Sequence, residues 1–68
     1  MNNVEALDFA AAKLTDLRCG LVYRVSTMRE YNIYEILVLS LESEIASYDA
    51  ALEIIKTLRE RFKEELKC

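Results

Sequence analysis

The sequence contains no histidine, no proline, one glycine and only two cysteines. Without histidine the commonest transition-metal ligand is missing, and two cysteines are too few for a disulfide framework. Strands joined by tight turns need glycine and proline, so the scarcity of both favours helices. A chain of 68 residues makes one small domain that buries little surface on folding. We therefore predict a single helical domain, 1–68, that gains stability by oligomerising.

The balance of charge and the short apolar runs exclude several classes of partner. A net charge of −3 repels phosphate backbones and therefore disfavours nucleic acid as a partner. The longest apolar run, 33–41, is interrupted by Glu35 and Ser40 and is far shorter than the ~20 residues needed to cross a bilayer. The N-terminus lacks the basic start of a signal peptide. We therefore expect no membrane contact and a cytoplasmic location, with both thiols reduced.

No spacing in the chain matches a catalytic, metal-binding or phosphate-binding motif, so we predict that it is not an enzyme and binds no cofactor. Glu42 and Glu44 fall on different sides of a helix and are interpreted as surface charges rather than an acid–base pair. Cys19 is expected to be a small core residue and Cys68 an exposed end. The sequence leaves open whether either thiol has a redox role.

Apolar residues recur at alternating steps of three and four, which is typical of a stripe along one side of a helix in a coiled coil or bundle. In the first half the stripe is interrupted by Arg18, and in the second half by Arg59. The first stripe is Val4, Leu7, Ala11, Leu14, Leu21, Val25 and Met28. The second, the inner stripe, is Tyr34, Val38, Leu41, Ile45, Tyr48, Leu52, Ile55, Phe62 and Leu66.

The two stripes slip in phase between Met28 and Tyr34, so a turn is expected there. Thr27 followed by Glu30 has the form of a capping box at a helix start. The sequence therefore predicts helix one near 3–24 and helix two near 28–66. Gly20 and the segment 29–32 are alternative positions for the turn.

A second fold is compatible with the same residues. The segments 21–28 and 33–41 are rich in β-branched and aromatic residues, which favour strands. Joined by 29–32, they could form a β-hairpin over 21–41 with a helix on each side. The alternative to the all-α hairpin is thus an α-β-β-α fold.

Helix lengths suggest how the chain associates. At 1.5 Å per residue the predicted helices are about 33 and 58 Å long, which would leave the end of helix two uncovered. Beside its inner stripe lies a charged row with acids first and bases last: Glu35, Glu42, Asp49, Lys56 and Lys63. Two antiparallel copies would bring acids to bases. We therefore predict an antiparallel homodimer resembling a four-helix bundle. Its self-association residues would be Val38, Leu41, Glu42, Ile45, Tyr48, Asp49, Leu52, Ile55, Lys56, Arg59, Phe62, Lys63 and Leu66.

Tyrosine and arginine are concentrated around the expected turn, and both residue types are enriched in interface hot spots. The predicted partner-binding residues are Tyr23, Arg24, Arg29, Tyr31 and Tyr34. The function predicted from these features is a protein-binding module that acts as an inhibitor, adaptor or assembly chaperone on an unidentified protein. A small-ligand-binding helical oligomer is the alternative. A regulator of nucleic acid, or an acidic mimic of it, is a weaker third hypothesis.

Overall fold

A computed structural model describes residues 2–32 and 35–67, with the backbone alone for 66 and 67. It contains two helices, α1 (Asn3–Glu30) and α2 (Glu35–Lys67), packed against each other as an antiparallel hairpin. The molecule measures 54 × 16 × 13 Å, which is the shape of a rod. The predicted all-α hairpin is confirmed.

Helix α1 begins at a side-chain cap. The Oδ1 atom of Asn2 accepts a hydrogen bond from the backbone N–H of Glu5 at 2.8 Å. This bond satisfies one of the amides that have no partner within the first turn of a helix. The Glu5 carboxylate also adds negative charge to the first turn, where the helix dipole favours it.

Helix α1 ends at Glu30, and Asn32, two residues later, has a φ of 55°. Asparagine adopts this left-handed conformation more readily than most residues, and it commonly ends a helix there. The backbone N–H of Asn32 donates to the carbonyl of Arg29 at 3.2 Å. The described part of the turn is 31–32, within the segment 29–32 that was one of the two alternative positions.

The predicted capping box at Thr27 and Glu30 is wrong. Thr27 lies inside α1, where its Oγ1 donates to the carbonyl oxygen of Tyr23 at 3.0 Å. An N-cap residue has a non-helical backbone, whereas Thr27 has helical residues on both sides. Helix α1 therefore continues past the expected boundary at 24, and α2 begins at Glu35 rather than near 28.

The alternative β-hairpin over 21–41 is also wrong. Within that segment the described residues are helical apart from the turn at 31–32. The three- and four-residue spacing keeps Leu21, Val25 and Met28 on the side of α1 that faces α2. Burial along that stripe outweighs the strand preference of the individual residues, which depends strongly on context.

The core lies along the contact between the two helices and is thin. Val25 and Val38 are its two buried apolar residues among those described, at 9% and 4% exposure. The other described members of both stripes are half-buried, as are Arg18 and Arg59, so the periodicity located the facing sides correctly. Tyr34 and the side chain of Leu66 lie outside the described residues.

The two helices are nearly equal in length, with 28 residues in α1 and 33 in α2. At the open end of the hairpin, Asn3 and Val4 lie beside Phe62. The prediction that the last turns of α2 are uncovered is therefore wrong, because α1 is longer than the sequence pattern indicated. The inner stripe is covered from within the chain along its described length.

Gly20 lies in the interior of α1, and a Cβ built there meets no atom within 4 Å. Gly20→Ala should therefore raise the free energy of unfolding by about 0.5–1 kcal/mol, since glycine costs more backbone entropy than alanine in a helix. Urea denaturation measures the difference. The reciprocal control is Ala12→Gly at another exposed position of α1, which should lower stability by a similar amount. A destabilising Gly20→Ala would contradict the open surroundings of this position.

Candidate functional site

Ion pairs join the two helices along one side of the hairpin, which we call the charged flank. Near the turn, Arg29 pairs with Glu42. In the middle, the Nε of Arg18 lies 2.5 Å from the Oδ1 of Asp49. Near the open end, Arg59 pairs with Asp8. These contacts repeat along the rod, so they fix how the two helices align.

Asp8 and Arg59 form a two-point contact. The Nε of Arg59 donates to one carboxylate oxygen of Asp8, and its Nη2 donates to the other at 3.3 Å. The hydrogen bond from Arg59 holds the pKa of Asp8 below its usual range, and the positive charges of Arg59 and Lys63 act in the same direction. The same bond raises the pKa of Arg59. Arg59, which interrupts the inner stripe, is thereby explained as the partner of an acid on α1.

Part of the charged row of α2 interacts with charges on α1. Glu42 and Asp49, the acids of that row, pair with arginines, while Lys63 lies within electrostatic reach of Asp8. Acids followed by bases indicated an antiparallel neighbour, and the antiparallel neighbour in this structure is α1. The sequence alone did not show that Asp8 and Arg29 carry the complementary charges.

This arrangement bears on the residues predicted for self-association. The described part of the inner stripe faces α1 from Val38 to Phe62. A second copy could reach it only if α1 moved away. Pairing between copies through that stripe stays a prediction, and the intact hairpin directs attention to the sides that α1 leaves uncovered.

Large apolar side chains are most exposed around the turn. Among the described residues, the three most exposed of them are Ile36 at 82%, Tyr23 at 76% and Tyr31 at 67%. Leu39 is 58% exposed in the same region. We call Tyr23, Tyr31, Ile36 and Leu39 the turn-end surface. Sequence reasoning found its two tyrosines but missed Ile36 and Leu39, because strand-like and helix-like patterns overlap there.

The arginines predicted for partner binding lie in the same region. Arg24 and Arg29 are both exposed, although the guanidinium of Arg29 is already paired with Glu42. Between the helices an open depression is lined by Met28, Arg29, Asn32, Glu35, Val38 and Leu39. Both signs of charge border the depression, and its lining is more polar than apolar.

A second exposed row follows the side of α2 opposite the charged flank. Its spacing again alternates between three and four residues, which keeps the row on one side of the helix. Ile54 is 62% exposed in this row, Leu37 is 49% and Leu58 is 37%. We call the row the outer seam; it consists of Leu37, Ser40, Glu44, Ser47, Ala51, Ile54, Leu58, Arg61 and Glu65.

The acidic residues and cysteines of the chain are the side chains that could carry out chemistry or hold a metal ion. In the part of the chain that is described, no group of three or more potential ligand residues is placed to hold a metal ion. Glu44 is exposed, whereas Glu42 lies at the edge of the helix contact. Cys19 is exposed and free, so its expected place in the core is wrong: it lies beside the stripe of α1 rather than in it. Cys68 lies outside the described residues.

Neither helix carries, within its described residues, an apolar stretch that could cross a bilayer.

Comparison with protein-family models, with curated proteins and with solved structures found no match to this chain.

Proposed function

We propose that the chain is a non-enzymatic protein-binding module, a homodimer of helical hairpins that contacts its target through the turn-end surface. The observation that carries this proposal is the exposure of Ile36, Tyr23 and Tyr31 at one end of the rod. A module of this kind acts as an inhibitor, adaptor or assembly chaperone, since it covers part of another protein's surface rather than transforming a substrate.

The energetic argument concerns large side chains left in water. Full burial of an apolar side chain of this size contributes roughly 1.5–3 kcal/mol. Tyrosine adds a polar tip that can form a hydrogen bond at the edge of an interface. A target with an apolar groove would bury Ile36 and Leu39 and leave the tyrosine hydroxyls at its rim.

The total surface supports association with a second copy. The accessible area is 5478 Å² for a chain of 7.9 kDa. A compact monomer of that mass exposes roughly 4,400 Å². The excess, about 1,000 Å², is comparable to the ~800 Å² that each partner buries in a standard protein interface. A single hairpin thus exposes about as much additional area as one dimer contact would cover.

Binding to the target is tested with Tyr31→Ala and Ile36→Ala. Each should weaken capture of the same target from a cell extract by about tenfold or more, as expected for an interface hot spot. Tagged wild-type and variant proteins are compared side by side by quantitative mass spectrometry. Arg29 is left unchanged because its replacement would also remove an ion pair within the hairpin.

Phe9→Ala is the matched control for binding. Phe9 is an aromatic residue exposed at 59%, and it lies in the half of α1 far from the turn. The control should capture the target as well as wild type does. Equal capture by all the variants, with unchanged helicity by circular dichroism, would place the target contact elsewhere.

A further inference from the structure

We infer that the outer seam of α2 is the self-association surface and that it pairs antiparallel with the outer seam of a second copy. This inference rests on the homodimer in the proposed function and specifies its contact and register. The row has the three- and four-residue spacing of a coiled-coil seam. It lies on the surface, whereas the inner stripe is occupied by α1.

The sizes of the central residues favour one register. When Ala51 lies opposite Ile54 of the second copy, Ser47 falls opposite Leu58 of that copy. Small side chains then face large ones in each central layer, which lets the two helices approach without voids. The two-fold axis that relates the two copies repeats both layers, so the dimer has four layers in which a small side chain faces a large one. The seam residues Glu44, Ser47 and Ala51 border a shallow depression together with Leu14 and Tyr48, beside which the larger side chains of the second copy would lie.

The charges that flank the four central layers select the same register. Continuing outward, Glu44 falls opposite Arg61 of the second copy, and the symmetry gives this pair twice. Both residues are exposed, and within the described residues no ion pair joins either of them to another side chain. They are too far apart along α2 to meet within one chain, because 1.5 Å per residue separates them by about 25 Å.

Other arrangements of the seam lose this complementarity. Sliding the copies by one heptad places Glu44 opposite Ile54 in one direction and Arg61 opposite Ala51 in the other, so a charge meets an apolar side chain either way. A parallel pairing places Glu44 opposite Glu44 and Arg61 opposite Arg61, so like charges meet. Only a second copy in the antiparallel register matches both size and charge among these arrangements.

Cross-linking tests the register directly. In a background with Cys19→Ser and Cys68→Ser, the double variant Ser47→Cys with Leu58→Cys should form a disulfide-linked dimer under mild oxidation. Ser47→Cys alone should not, because two copies of that position lie about 16 Å apart along the axis. Cross-linking of the single variant as efficiently as the double one would overturn the register.

Charge reversal tests the two layers that pair Glu44 with Arg61 of the second copy, in the 68-residue chain under reducing conditions. Glu44→Arg and Arg61→Glu should each raise the dimer dissociation constant about tenfold, since each places like charges in two layers. The double variant should restore the wild-type constant. Sedimentation velocity over a dilution series measures all three, together with Lys56→Glu, a matched reversal in the charged row that should leave the constant unchanged.

The outcomes separate this inference from the proposed function. A dimer that is weakened by Lys56→Glu but not by either seam reversal would overturn the outer seam and favour the charged row, while the homodimer would stand. A wild-type chain that is monomeric at the highest concentration would overturn both this seam and the homodimer. Target capture through the turn-end surface would still be measured independently with Tyr31→Ala.

Discussion

Val38→Asp will abolish cooperative folding of the hairpin at neutral pH. Val38 is the most buried of the described core residues, at 4% exposure, and Val25 is the other buried apolar residue. An unpaired carboxylate at this position would cost on the order of 3–5 kcal/mol. A small core seldom supplies more than about 3–5 kcal/mol in total, so the folded state would not survive. Circular dichroism should show a weaker helical signal than that of the wild type, and urea should reduce this signal gradually, without a sigmoidal transition.

Leu39→Asp provides the matched control for this prediction. Leu39 is the next residue along α2, yet it is 58% exposed. The same substitution there should change the free energy of unfolding by less than about 1 kcal/mol, as surface substitutions usually do. If Val38→Asp retains a cooperative transition close to that of Leu39→Asp, the core does not lie where the structure places it.

Asn32→Val will lower the free energy of unfolding by about 2 kcal/mol. Asn32 has a φ of 55°, and a β-branched residue in the left-handed region is a steric outlier. Valine also removes the short polar side chain that makes asparagine tolerant of this conformation. Asn32→Gly should be close to neutral, because glycine adopts positive φ at no steric cost.

Urea denaturation of the two variants gives the comparison at this single position. The wild type and Asn32→Gly should have similar free energies of unfolding, and that of Asn32→Val should be lower. Equal stability of Asn32→Val and Asn32→Gly would show that the turn adjusts its backbone to avoid the left-handed conformation.

The periodicity of the sequence predicted the facing sides of both helices, including the interruptions. Arg18 and Arg59 stood out as exceptions to the apolar stripes, and the structure explains both, since each reaches an acid on the other helix. Periodicity succeeds here because burial along one side of a helix is what positions it against a neighbour.

The helix boundary was harder to predict because two local signals competed. Thr27 and Glu30 have the side chains of a cap, whereas Asn32 can adopt a left-handed backbone. Only the continuous packing of α1 against α2 decides between them, and that packing is not local. The error at the turn also produced the wrong helix lengths, and with them the prediction of an uncovered end.

The two exposed surfaces on which the proposals rest could be predicted in part from the sequence. The exposed tyrosines of the turn-end surface were among the residues predicted for partner binding, because tyrosine is enriched in interface hot spots. The outer seam was missed because Ser40, Glu44 and Ser47 interrupt its apolar residues. Its regular spacing becomes visible only when the exposure of Ile54 and Leu58 is known.

The three ion pairs of the charged flank also imply an order of folding. They close chain segments of increasing length: Arg29–Glu42 spans 13 positions, Arg18–Asp49 spans 31 and Arg59–Asp8 spans 51. Loop-closure entropy makes the last contact about 1 kcal/mol harder to form first than the one beside the turn. The hairpin should therefore close from Asn32 outward, with each pair shortening the loop that the next must close. In the reverse direction the end that carries both chain termini should open before the turn does.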